Sequence, residues 1–144
     1  MMFFCDTSTL AKYYVVEQES AAVRALLDSE DEVFASELAR PELMAAFHRR
    51  WREGKWSRDQ FLTVARQFSH DDQGDYWSWI PLDVEIVTRA ADAYKTLPKE
   101  VFLRTLDCVH LVTASYHGFS EIYTHDIHQA NSAEAFGLRV TSIR

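Results

Sequence analysis

The sequence predicts an α/β fold, in which a parallel sheet carries helices on both of its faces. Short apolar runs suited to buried strands alternate with amphipathic segments suited to helices, and this alternation is typical of a covered parallel sheet. The 144 residues match the usual size of one domain, and the four glycines and three prolines fall at predicted turns, without a repeat or a linker. We therefore expect a single domain over residues 1–144.

The first half of the chain contains two predicted strands and three predicted helices. Met2–Cys5 is a short apolar run followed by polar residues, as expected of a buried strand that ends in a turn or a helix cap. Ser20–Asp28 has apolar residues at helical spacing, and Glu32–Ala35 is the second strand. Pro41–Arg52 begins with a proline, which suits the first position of a helix, and Ser57–Phe68 is amphipathic.

The second half of the chain continues the alternation. Tyr76–Pro81 alternates like a strand, and Val84–Tyr94 has helical spacing. Leu106–Tyr116 is apolar almost all round, so we expect it to be a buried helix. The remaining predicted elements are a strand at Ile122–Thr124, a helix at Gln129–Phe136 and a strand at Val140–Ile143.

Four carboxylates stand where such a sheet would gather them at one rim. Asp6 and Asp126 come at the carboxyl ends of predicted strands, which is where parallel sheets bind ligands. Asp107 and Glu42 lie in the first turns of predicted helices, where the helix dipole favours an ionised acid. Taken singly, Asp107 is explained equally well as a cap of its own helix, and Glu42 as a residue that stabilises the helix dipole.

Carboxylates held together need a positive partner. Two such charges about 4 Å apart repel by roughly 4 kcal/mol at an effective dielectric constant of about 20, and a divalent cation among them would offset this repulsion. Oxygen ligands without a nearby Cys or His pair favour Mg²⁺, with Mn²⁺ as an alternative. Such an ion activates water and stabilises the charge that develops during attack on a phosphodiester. The four acids therefore indicate a metal-dependent phosphodiesterase site.

Four segments of the chain resemble the PIN-domain family, and within it the toxin ribonucleases called VapC. They are FFCDTSTLAKYY, SELARPELMAAFHRR, LRTLDCVHLVTA and IYTHDIHQANSAEAFGL, which occur in family order and span nearly the whole chain. The third segment is the most specific. The resemblance implies a five-stranded parallel sheet, Mg²⁺-dependent cleavage of RNA, a homodimer and neutralisation by a small antitoxin protein.

The resemblance also implies roles for individual residues. Ser8, with Thr7 as the alternative, matches the hydroxyl position after the first acid of the family. Thr124 matches the hydroxyl that commonly precedes the last acid by two residues. The acidic site of the family, catalytic and metal-binding, falls on Asp6, Glu42, Asp107 and Asp126.

The charge of the chain points to a local surface for RNA rather than a general one. The net charge is −7, so bulk charge does not attract nucleic acid. Residues 40–66, however, carry seven basic side chains against three acidic ones. Within this basic patch we expect Arg49, Arg50 and Lys55 to bind RNA phosphates, and Trp56 to stack on an unpaired base. A solvated helix face, or a surface for a partner protein, explains the patch equally well.

An enzyme that cuts RNA would damage its own cell unless it were inhibited. We therefore expect an antitoxin that inserts an arginine or lysine among the four acids and lays apolar side chains along a nearby helical groove. No apolar run approaches the length of a membrane span, and the apolar start is too short for a signal peptide, so we expect a cytoplasmic protein. The alternatives are a PIN-like protein that binds nucleic acid without cutting it, and a housekeeping nuclease.

Overall fold

The computed structural model describes residues 3–143, in which five short strands alternate with helical connections. Within this range no helix combines the length and the apolarity needed to cross a membrane. The strands are β1 (Phe3–Phe4), β2 (Val33–Ser36), β3 (Ser78–Ile80), β4 (Glu121–Tyr123) and β5 (Arg139–Thr141). The helices are α1 (Thr7–Tyr14), α2 (Ser20–Ser29), α3 (Ala39–Arg52), α4 (Arg58–Gln73), α5 (Val84–Ala93), α6 (Thr105–Tyr116) and α7 (Ile127–Ser132), and a 3₁₀ turn at Ala133–Phe136 follows α7.

All pairings between the strands are parallel, as predicted. β2 lies between β1 and β3, and β4 pairs with β5. The two parts meet at a seam, where Cys5 forms an isolated parallel bridge with Tyr123 and the Asp6 N–H donates to the Tyr123 carbonyl at 3.1 Å. The order across the sheet is therefore β3-β2-β1-β4-β5, with β1 in the centre. The α/β fold with helices around a parallel sheet is confirmed.

Neighbouring residues of β1 point to opposite faces of the sheet and enter two different cores. Phe3 packs into a core that α1, α2, α3 and α4 cover, whose most buried members include Leu10 and Phe47. Phe4 packs into the other core, which α5 and α6 cover, together with Ile86 and Leu111. Side chains alternate across a strand, so a two-residue strand can join both layers.

Helix α1 is the main element that the sequence analysis does not predict. Its threonines and tyrosines favour extended structure, and only a turn or cap is indicated after the first strand. In the structure Asp6 caps this helix through its carboxylate, which accepts the N–H of Thr9 at 3.3 Å. Leu10 and Tyr14 then bury one face of α1. Capping and burial together outweigh the weak helix propensity of the segment.

The remaining differences concern element ends. α3 begins at Ala39, two residues before the predicted start at Pro41, which is tolerated because the first turn of a helix needs no N–H from proline. α4 continues past Phe68 to Gln73. The predicted helix at Gln129–Phe136 divides into α7 and the 3₁₀ turn. Met2, the predicted start of the first strand, lies outside the described residues.

Candidate active site

The carboxyl ends of the parallel strands form one edge of the sheet, which we call the carboxyl rim. Asp6 lies at its centre, between the end of β1 and the start of α1. Its side chain is 3% exposed, and both carboxylate oxygens accept hydrogen bonds. Ser8 Oγ donates to Oδ1 at 2.6 Å, and Thr124 Oγ1 donates to Oδ2 at 2.6 Å. The carboxylate is therefore held in one orientation, as expected for a group that must present its oxygens to a ligand.

The two hydroxyls connect Asp6 to the loop after β4. Ser8 Oγ accepts the backbone N–H of His125 at 2.8 Å, and Thr124 Oγ1 accepts the backbone N–H of Asp126 at 3.0 Å. Each hydroxyl thus accepts from one peptide and donates to Asp6. These hydrogen bonds hold the segment after β1 against the loop after β4. Ser8 and Thr124 lie where the sequence analysis expects supporting hydroxyls.

Burial raises the pKa of Asp6 above its ordinary value. The positive charge of His110 and the hydrogen bonds from Ser8, Thr124 and the Thr9 N–H act in the opposite direction but offset only part of that increase. A buried carboxylate in this position gains from any further positive charge that approaches it. The site therefore favours a cation.

Glu42 lies in the first turn of α3, with its carboxylate directed towards α1 and α6. Its Oε1 accepts the hydroxyl of Thr7 at 2.7 Å and contacts Nε2 of His110 at 2.6 Å. Burial tends to raise the pKa of Glu42, but the hydrogen bond and charge of His110, followed by Thr7 and the charge of Arg104, outweigh it, so the pKa lies below its ordinary value. Glu42 is therefore held in its ionised form.

Asp107 and Asp126 share one guanidinium group. Nε of Arg104 donates to Oδ2 of Asp107 at 2.7 Å, and Nη2 of Arg104 donates to Oδ2 of Asp126 at 3.0 Å. Oδ1 of Asp126 is used separately, because it caps α7 by accepting the N–H groups of His128 and Gln129. Asp107 does not cap α6, whose N-cap residue is Arg104.

The donor set of the rim suits a hard divalent cation, although it is not already arranged as a metal site. No three Asp, Glu, His or Cys side chains within residues 3–143 are grouped so that they could hold a metal ion. The Oδ2 atoms of Asp107 and Asp126 nevertheless converge on a single positive group, the guanidinium of Arg104. Carboxylate oxygens that already share a cation fit Mg²⁺ or Mn²⁺ in chemistry, provided that Arg104 moves.

Three of the four expected RNA-binding residues line a groove that reaches the acidic rim. Arg49, Arg50 and Lys55 line this groove together with Glu42. Each is also paired with an acid: Arg49 with Glu53 at 3.1 Å, Lys55 with Glu53 at 3.7 Å, and Arg50 with Glu17. The basic groove is therefore partly neutralised, and exposed pairs of this kind exchange partners at little cost.

The structure does not bring Trp56 into the same groove. Trp56 lines a separate depression with Tyr14 and Val64, and it packs against the core cluster with its ring centroid 6.1 Å from that of Phe47. The guanidinium of Arg50 lies 5.9 Å from the centroid of the indole ring. These contacts leave less of the indole for stacking on a base than the sequence analysis expects.

Two residues of the site are not among the sequence-predicted ones. His110 is 2% exposed, and it is packed and hydrogen-bonded as the apolar character of its helix indicates, but its partner is the site residue Glu42. Arg104 lies three residues before Asp107, a spacing at which side chains of one helix turn meet. That spacing is the signal by which Arg104 could have been found.

Comparison with known proteins identifies the family and the fold. The family model of the PIN domain matches residues 3–135. VapC20 of Mycobacterium tuberculosis, a sarcin-ricin loop cleaving toxin, is similar in structure, with a TM-score of 0.69, 14% identity, and coverage of 90% of this chain and 94% of that one. No curated protein sequence matches the chain significantly.

Two further solved structures are similar over almost their whole length. VapBC2 of Rickettsia felis, bound to a DNA fragment from its promoter, gives a TM-score of 0.70 at 12% identity and covers 100% of both chains. FitAcB of Neisseria gonorrhoeae gives a TM-score of 0.70 at 16% identity and covers 96% of both chains. At these identities the likeness concerns the fold.

The Thr124 hydroxyl is expected to be essential for the stability of the rim. Thr124→Val leaves a buried oxygen of Asp6 and the N–H of Asp126 without a partner, and it should lower the free energy of unfolding by about 1–3 kcal/mol. Thr63→Val, which removes an exposed hydroxyl on α4, is the matched control and should change it by less than about 0.5 kcal/mol. Urea unfolding in EDTA measures both, and equal losses in the two variants would contradict the role given to Thr124.

Proposed function

The chain belongs to the PIN-domain family, and we propose that it is a metal-dependent endoribonuclease, the toxin of a VapBC-type toxin–antitoxin pair. The observation that carries the proposal is the linked set of four carboxylates at one rim. Thr124 connects Asp6 with Asp126, and Arg104 connects Asp126 with Asp107. His110 and Arg104 both act electrostatically on the fourth acid, Glu42. The fold of VapC20, a sarcin-ricin loop cleaving toxin, supports the toxin part of the proposal by analogy.

The four acids are proposed to hold Mg²⁺, or Mn²⁺ in its place. Bound there, the ion would activate water and stabilise the charge that develops on the attacked phosphodiester. The chain's own residues prepare this step: Ser8 and Thr124 fix the direction of Asp6, and His110 with Thr7 keeps Glu42 ionised. An orientation fixed before the substrate arrives lowers the reorganisation that the reaction requires.

The basic groove is proposed to bind the backbone of single-stranded RNA. Arg49 and Lys55 are 68% and 59% exposed, so their charges reach solvent despite their pairing with Glu53. A phosphate can replace Glu53 as their partner, and the counterions released from the RNA favour the exchange. Because Glu42 lines the same groove, phosphates bound there would lie next to the acidic rim.

The partner of the chain is proposed to be a small VapB-like antitoxin that inserts an arginine or lysine among the four acids. The groove that leads to Glu42 also contains apolar positions on α1, α3 and α6, namely Ala11, Ala46 and Leu106, against which apolar side chains of the partner can pack. A homodimer of the chain is proposed on the resemblance to the family. A protein of this kind acts in the cytoplasm.

Removal of the charge of Asp6 should abolish cleavage while the fold is kept. Asp6→Asn should reduce the hydrolysis of a labelled RNA in Mg²⁺ by about a hundredfold or more, because a loss of a few kcal/mol of transition-state stabilisation corresponds to that factor. EDTA should have the same effect on the unchanged chain. Asp92→Asn, which alters an exposed acid paired with Lys95, is the control. Full activity of purified Asp6→Asn protein would exclude the proposed site.

Neutralisation of the basic groove should weaken RNA binding in a salt-dependent way. The triple change of Arg49, Arg50 and Lys55 to glutamine should reduce the slope of log Kd against log salt by up to about 2, at roughly 0.7 per phosphate contact on a single strand. A triple change at the exposed residues Arg89, Lys95 and Lys99 alters the net charge equally and should leave the slope unchanged. Fluorescence anisotropy at several salt concentrations measures both variants. Equal slopes for the groove variant and the unchanged chain would assign the patch to something other than RNA.

Expression of the chain with and without its genomic neighbour tests the toxin role. Alone, the chain should arrest growth, and with a neighbouring small protein it should co-purify as an inactive complex. Asp6→Asn protein should not arrest growth but should still co-purify, because the apolar part of the contact remains. Unaffected growth and no bound neighbour, together with Mg²⁺-dependent cleavage in vitro, would favour a housekeeping nuclease. The same result without cleavage would favour a binding protein.

A further inference from the structure

Arg104 forms a cover over two of the four acids. Its side chain is 53% exposed, whereas the side chains of Asp107 and Asp126 are 13% and 28% exposed. The guanidinium binds the two carboxylates through two different nitrogens, Nε and Nη2. In the described part of the chain, Arg104 is the only side chain that donates a hydrogen bond to the carboxylate of either acid.

The oxygen of Asp126 that Arg104 uses is the one that a metal ion would need. Oδ1 of Asp126 is engaged by the first turn of α7, so Oδ2 is the oxygen available to a cation, and Arg104 binds it. Oδ2 of Asp107 is bound in the same way. A divalent ion approaches carboxylate oxygens to within about 2.0–2.6 Å, and a guanidinium cannot remain between them. A metal ion that binds Asp126 therefore competes with Arg104 for Oδ2.

The backbone around Arg104 allows its side chain to leave this position. Arg104 has extended backbone angles, φ −72° and ψ 151°, and precedes the first residue of α6. Its side chain makes no capping hydrogen bond to the helix. Among the described contacts, rotation of the side chain breaks only the two ion pairs. A cation that takes the place of Arg104 then neutralises the two largely buried carboxylates, so neither is left without a positive partner.

We propose that Arg104 is an exchangeable cation of the active site, an inference that rests on the proposed metal-dependent function. In the chain without metal it bridges Asp107 and Asp126, and when the metal binds it releases them and binds a phosphate of the RNA. The guanidinium donates one nitrogen to each carboxylate here, and the same planar group can pair bidentately with a phosphate, so the exchange replaces one good partner with another. The position of Arg104 directly before α6 keeps the released group beside the rim.

This exchange couples the binding of metal to the binding of RNA. A phosphate that draws Arg104 away frees the two carboxylates for the metal, and a metal that displaces Arg104 frees the guanidinium for the phosphate. Coupling between two binding equilibria is reciprocal, so each ligand strengthens the other by the same factor. A fixed structural ion pair would leave only the coupling that comes from direct contact between the metal and the phosphate.

Binding of Mn²⁺ to the full-length chain, measured by calorimetry without RNA, tests the competition. Arg104→Gln should bind Mn²⁺ about tenfold more tightly than the unchanged chain, which is a typical size for coupled sites. Arg89→Gln removes the same charge from an arginine that is 51% exposed and paired with Glu85, so it controls for net charge and should not change the affinity. Arg104→Lys keeps the charge without the planar fork and should fall between the two, and it decides the result if Arg104→Gln does not fold.

The coupling is tested by the same titration in the presence of a phosphorothioate RNA decamer, which resists hydrolysis. In the unchanged chain the decamer should tighten Mn²⁺ binding about fivefold or more, and Mn²⁺ should tighten decamer binding by the same factor. In Arg104→Gln this coupling should be clearly weaker, because only the direct contact between the metal and the RNA phosphate remains. Equal Mn²⁺ affinity and equal coupling in both proteins would overturn the role of Arg104 and leave the metal-dependent nuclease intact. Absence of Mn²⁺ binding in both proteins would overturn the two proposals together.

Discussion

Repulsion between like charges is the constraint on which the carboxyl rim depends. The four acids are stabilised against this repulsion in three different ways. Asp6 is held by two hydroxyls and a peptide N–H, so hydrogen bonds stabilise its charge without any charged partner in direct contact. Glu42 has a buried histidine, and the two acids of α6 and α7 have a half-exposed arginine. Only the arginine can move away without disturbing the core. The surroundings of Asp6 and Glu42 are therefore fixed, whereas Asp107 and Asp126 can exchange their positive partner.

The sequence predicts the acids of this site better than the groups that surround them. Asp6 and Asp126 are foreseeable because an acid that follows an apolar run lies at the carboxyl end of a strand. The partnership of His110 with Glu42 is not foreseeable, because it depends on how α3 and α6 pack. The bridge made by Arg104 depends on a side-chain rotamer and on the loop after β4. Helix α1 was missed for a similar reason, because capping and burial by distant segments outweigh its local propensity.

The basic patch shows that a count of charged residues along the chain does not give the charge of the folded surface. Residues 40–66 are strongly basic by count, yet the acid that pairs with Arg50 is Glu17, which lies between α1 and α2. Glu17 also pairs with Lys12 at 3.2 Å. The groove is thus a network of exchangeable ion pairs rather than a bare positive surface. Such a network favours a partner with several phosphates over a single anion, since one phosphate gains little by replacing one carboxylate.

The position of the seam between β1 and β4 affects the order in which parts of the chain fold. Thr124 and Asp6 are 118 residues apart in the chain and meet only across this seam. Contacts of such long sequence separation form late in folding, because the loop between them must be ordered first. The seam has one isolated bridge, but side chains from β1 and β4 also pack together in both cores: Phe3 stacks on Tyr123 at 3.9 Å, and Phe4 shares a core with Ile122. Local opening of the seam should therefore require the packing of these residues to loosen. Deuterium uptake at the Asp6 amide, which donates to the Tyr123 carbonyl across the seam, would report this opening, and a ligand that spans the seam would slow it.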